Sequence, residues 1–135
     1  MSAIDRTRLL RHAILLDAIV SGATGTLLAL GAGLLSGLLG LPHALLTGAG
    51  VFCIVYAFGL AVLARRPVIP RPLAMAVVAG HVAWVAASLW LPVSGLVAPT
   101  TLGTAFVLGQ AAAVMAFAVL QRIGIARIEA TMATA

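Results

Sequence analysis

Four polar side chains fall inside otherwise apolar runs, and any chemistry of this chain should reside in them: Asp17, Tyr56, His81 and Gln110. A carboxyl group and an imidazole can exchange a proton, while a phenol and a carboxamide can relay or orient one. Each loses water when apolar surroundings enclose it, so each demands a partner. Counted from the nearest basic residue at about 1.5 Å per helical residue, His81 is about 15 Å from Arg71, Gln110 about 18 Å from Arg122 and Tyr56 about 14 Å from Arg65. The shared depth predicts a hydrogen-bonded His81, Gln110 and Tyr56 cluster. It would be either a proton or solute site or plain interhelical pairing, at under about 1 kcal/mol per bond. Asp17 lies shallower, about 9 Å from Arg11. A structural salt bridge to Arg65, Arg66 or Arg71 is the first expectation for it, and a proton-linked role the alternative.

Other chemistries lack their residues. Haem held within one chain needs axial ligands at one depth on facing helices, yet His12 falls at the basic edge and His43 in the opposite turn, leaving His81 alone. Cys53, the histidines and Asp17 are scattered in depth, which disfavours zinc or copper, and one cysteine permits neither a disulfide framework nor a Cys-x-x-Cys pair. No phosphate loop, nucleophile motif or Ser-His-Asp arrangement occurs. The expectation is a chain with no cofactor, no metal and no enzymatic activity.

The elements that must position these residues follow from composition. With 63% hydrophobic and 8% charged residues, 135 in all, the chain has too little polar surface for a water-soluble globule, and it is long enough for four membrane spans with short connections. We place the spans near 13–35, 44–63, 73–91 and 100–123, in a single domain covering 1–135. Pro42, Pro70, Pro72, Pro92 and Pro99 fall at or just outside their ends, Gly124 is expected to end the last helix, and 131–135 reads as a frayed tail. Arg6, Arg8 and Arg11 precede the first span, Arg65, Arg66 and Arg71 separate the second and third, and Arg122 and Arg127 follow the fourth. The two other connections carry no charge. Positive charge resists translocation, so both termini and the middle loop are expected in the cytoplasm, in a multi-pass protein of a bacterial inner membrane. Three juxtamembrane clusters without interleaved aromatics do not suit a nucleic acid, and the lipid bilayer is the expected partner.

Two halves of the chain repeat. At a shift of 58, Ala18, Val20 and Gly22 recur as Ala76, Val78 and Gly80, and Ser36-Gly37-Leu38 recurs as Ser94-Gly95-Leu96. At a shift of 57, Pro42 returns as Pro99, Ala61-Val62-Leu63 as Ala118-Val119-Leu120 and Arg65 as Arg122. The fold class expected is therefore all-α, four transmembrane helices formed by a tandem, parallel duplication of a two-helix hairpin, with repeats near 13–66 and 73–123. The repeat also argues against a cleaved signal peptide, since span one is the counterpart of span three. Asp17 answers to Met75 and His81 to Ala23, so the polar residues break the symmetry of the frame. Packing should rest on small residues every four positions: Ser21, Gly25, Ala29, Gly33 and Gly37 in span one, with Gly109 among those of span four.

The Ala-x-Val-x-Gly spans, the Ser-Gly-Leu turns at Ser36 and Ser94 and the Arg66-Pro67 centre resemble the uncharacterised small four-helix integral membrane proteins of bacteria. That resemblance covers most of the chain and implies no activity. Small multidrug transporters are similar in length and helix number, but their first-span acid lies deeper than Asp17 and has a different surrounding pattern. Fluoride channels also have four spans, without their polar and phenylalanine positions recurring here. The expected function is a non-enzymatic structural or accessory subunit that packs with itself, as a homo-oligomer, or with a larger membrane complex. The alternative is a small proton-linked transporter or channel using Asp17 and the His81, Gln110 and Tyr56 cluster.

Overall fold

A computed structural model describes residues 3–133, with side chains described from Thr7 onward. It contains four α-helices: α1 (Ala3–Leu39), α2 (His43–Arg65), α3 (Arg71–Trp90) and α4 (Thr101–Met132), with a short 3-10 turn at Leu91–Val93. All four are long and apolar enough to cross a membrane.

Local chemistry sets the helix ends. α1 stops where Gly40 turns left-handed at φ +64° and donates its N–H to the Ser36 carbonyl at 3.0 Å. A Cβ at Gly40 would also stand 2.6 Å from the Ala98 carbonyl, so both the turn and the close approach require glycine there. α2 ends because Arg66, extended at ψ 141°, precedes Pro67. Thr100 caps α4: its hydroxyl accepts from Gly103 N at 3.0 Å and donates to the Leu38 carbonyl at 2.8 Å, tying the first turn to the start of the last helix.

Two of the four helices overrun the expected boundaries. α1 has 37 residues and α4 has 32, about 55 and 48 Å of helix against a hydrocarbon core of about 30 Å. Their extensions pack on each other at one end of the bundle, Leu10 and Ile125 being buried in one cluster with Ile14, Leu60 and Ala74. Gly124 therefore does not terminate α4. It is buried inside the helix, where a Cβ would come within 3.0 Å of the Leu10 backbone, so its smallness lets α1 approach. The tail expected from Thr131 begins as helix through Met132; Thr134 and Ala135, like the side chain of Arg6, lie outside the described residues.

α1 is the central element, packed along α2 and against α4, while α4 also packs on α3. Gly25 and Gly50 make the closest approach of α1 and α2: a Cβ on Gly50 would sit 2.5 Å from Ala29 N. Beyond this point the every-four stripe fails, and a Cβ on Gly33, Gly37 or Gly109 would meet nothing within 4 Å. Four residues turn an α-helix about 40° past a full turn, so such a stripe rotates off the contact face. The buried face of α1 instead steps by threes and fours through Leu10, Ile14, Asp17, Ser21, Gly25, Leu28, Ala32, Leu35 and Leu39, with Ser21 and Leu35 half-buried, the spacing that keeps a seam facing its neighbours.

Candidate functional site

Asp17 lies on that seam and is 1% exposed, one of the most enclosed side chains described. The other three helices each supply one polar group to the centre around it. His81 of α3 places Nε2 3.0 Å from Asp17 Oδ2. Gln121 of α4 donates Nε2–H to the same oxygen at 2.9 Å, and Ser21, one turn along α1, donates its hydroxyl to Oδ1 at 3.0 Å. Tyr56 of α2 completes the set, its hydroxyl 3.0 Å from His81 Nε2. His81 is 4% and Gln121 1% exposed, so Asp17, His81 and Gln121 are enclosed by the protein, with Tyr56 at the edge of the set.

The positions on each helix explain the convergence. His81 continues the buried seam of α3 from Ala74 through the half-buried Val78 to Val85 and Ser88, and Gln121 that of α4 through Ala118 and Ile125, both at three- or four-residue steps. Tyr56 is only half-buried, and its ring meets the His81 ring edge-on at 83° with centroids 5.9 Å apart. Phe52 stacks on Tyr56 at 6.1 Å and on Trp84 at 5.6 Å, so an aromatic row fills the space where α2 and α3 do not pack closely.

This arrangement corrects two expectations. Asp17 is bound to His81, Gln121 and Ser21 rather than to an arginine of the middle loop. Arg11, the closest basic residue on its own helix, donates instead to the Ala64 and Pro67 carbonyls and so satisfies free carbonyls at the end of α2. Arg71 is taken by Glu129 at 2.5 Å, which Arg122 also approaches at 3.5 Å. Gln110 does not join His81 and Tyr56: its Oε1 accepts from Trp84 Nε1 at 2.8 Å and its Nε2 donates to Ser88 Oγ at 2.8 Å, forming a second cluster further along α3 and α4. Trp84, which donates to Gln110, also stacks on Phe52. Gln121, Ser88 and the bond made by Ser21 were missed. Three-four spacing with buried apolar residues marks both Gln121 and Ser88, but Arg122 drew the end of span four too close to Gln121.

The chemistry open to the centre is proton binding. Asp17 accepts from Gln121 and Ser21, leaving the oxygen–nitrogen contact to His81 as the place for a mobile proton. With Nε2 protonated, His81 donates to the carboxylate; with the proton on Asp17, the carboxyl O–H donates to Nε2. Tyr56 meets the same nitrogen, which carries either one hydrogen or one lone pair: with Nε2 protonated the Tyr56 oxygen can share that hydrogen with Asp17, and with Nε2 free the Tyr56 and Asp17 hydroxyls compete for the lone pair. An aspartate beside a neutral imidazole carries a buried net charge, and one further proton on the pair cancels it. His81 Nδ1 and Gln121 Oε1 are enclosed and have no hydrogen-bond partner among the described residues, so the network is not saturated there. Among the described residues no three His, Cys, Asp or Glu side chains gather as a metal site. No protein-family model, curated protein or solved structure matches the chain.

Proposed function

We propose that this is a small multi-pass membrane protein whose working part is the Asp17–His81 pair, and that it passes protons across the bilayer by their uptake and release at that pair. The single observation that supports this reading is a titratable carboxyl and a titratable imidazole 3.0 Å apart, enclosed by one residue from every helix. An ion pair with arginine would hold a fixed charge, because a guanidinium does not release its proton, whereas an imidazole nitrogen can both bind and release one. Ionisable groups inside spans are costly and mark proton relays and ion paths. The arginine distribution favours a bacterial inner membrane with both termini in the cytoplasm, and the internal repeats favour descent from a duplicated hairpin.

The experiment is flux into proteoliposomes bearing a pH gradient, read by an internal pH dye. The wild-type protein should dissipate the gradient, and Asp17→Asn and His81→Ala should abolish the flux while remaining folded in the bilayer. Wild-type flux no faster than that of empty vesicles would overturn the proposal, as would unchanged flux in both variants.

A second reading, a structural or accessory subunit, has its own observation. Gly80 and Gly109 are exposed on α3 and α4, with no atom within 4 Å of where a Cβ would stand, and such small-residue faces suit close helix packing with another chain. Gly80→Leu and Gly109→Leu should then dissociate an assembly seen by native mass measurement; an unaltered mass would remove this reading.

A further inference from the structure

A groove of about 330 Å³ runs between α2 and α3, lined by Tyr56, Gly59, Val62, Arg66, Leu73 and Ala76. We propose that it binds one acyl chain of an anionic phospholipid, whose phosphate sits on Arg66. The inference is independent of proton passage.

Charge and the apolar lining select this occupant. Tyr56, within α2, and Arg66, the extended residue that follows its last turn, both line the groove and are ten residues apart, about 15 Å along the helix direction. Between them the lining is apolar. The exposed Arg66 guanidinium has no ion-pair partner among the described residues, unlike Arg71, which is held by Glu129. A flexible hydrocarbon chain can follow such an apolar lining and still leave its headgroup at Arg66. Basic pockets between spans at the cytoplasmic side bind anionic headgroups, and the groove adds to that charge a slot for the tail.

The test is native mass spectrometry of the purified full chain in detergent, with phosphatidylglycerol or phosphatidylcholine of matched acyl chains added. One phosphatidylglycerol per chain should bind with a preference of about fivefold, the factor expected from one near-surface cation. Arg66→Gln should abolish the preference. Gly59→Leu should abolish binding by filling the groove, without strain, since a Cβ at Gly59 meets nothing within 4 Å. Equal binding of the two lipids would overturn the proposal, as would a preference surviving Arg66→Gln. A lipid-free dimer broken by Gly59→Leu would also overturn it, by placing a second copy in the groove.

Discussion

Asp17 Oδ2 receives His81 Nε2 at 3.0 Å and the Gln121 amide at 2.9 Å, so one oxygen of α1 holds α3 and α4 together. Removing either partner leaves the other enclosed without its main contact, whereas removing both leaves no charge to satisfy. Asp17→Ala and His81→Ala should each cost about 3 kcal/mol, and the double variant less than the sum by about 2 kcal/mol. Reversible unfolding in mixed micelles measures the cycle. Additive costs would mean that the two groups do not act as a pair.

Tyr56→Phe separates packing from proton handling. The ring retains its place beside Phe52, and only the hydroxyl that meets His81 Nε2 is lost. Stability should fall by under about 1 kcal/mol, the usual size of an interhelical hydrogen bond in a bilayer. Proton flux should slow by about tenfold or more if the phenol takes part in transfer. A variant with full flux would confine Tyr56 to packing.

Arg11 and Arg65 offer a contrast between two basic residues of the same end. Arg11 donates to the Ala64 and Pro67 carbonyls, so Arg11→Gln should cost about 1–2 kcal/mol by freeing the end of α2. The exposed Arg65 has no such task, and Arg65→Gln should change stability by under about 0.5 kcal/mol. Neither touches Asp17, so both should leave proton flux unchanged. Loss of flux in Arg65→Gln would restore the middle loop as the partner of Asp17.

Helix number and type were legible in the sequence because long apolar runs separated by proline and arginine admit few other structures. Partners were less so. Distance along the chain from basic residues assigns Asp17 to the middle loop, whereas the three-four spacing from Leu10 to Leu39 assigns it to the core. Depth counting puts His81, Tyr56 and Gln110 on one level, but helix faces decide contact, and Gln110 faces Trp84 and Ser88. The extra turns of α1 and α4 are hidden for a related reason. Arginine and glycine near a span end read as boundaries, although two helices that pack on each other can continue past the bilayer.

Glycine substitutions separate close approach from open surface on the same fold. At Gly50 a Cβ would lie 2.5 Å from Ala29 N and 2.7 Å from the Gly25 carbonyl, both of them backbone atoms that no rotamer change can move. Gly50→Ala must therefore push α1 and α2 apart, and the cost of such overpacking is about 1–3 kcal/mol. Gly109 has nothing within 4 Å of the added atom, and alanine is the better helix former by about 1 kcal/mol. Gly109→Ala should leave stability unchanged or raise it slightly. The two variants add the same methyl group to the same residue type in the interior of a helix, so intrinsic propensity cancels between them and the difference isolates the α1–α2 contact. Since Asp17 is carried on α1 two turns from Gly25, separation at Gly50 should also loosen the polar centre and lower proton flux. Unfolding of both variants in mixed micelles decides the point: equal stability would mean that α1 and α2 do not meet at Gly25 and Gly50.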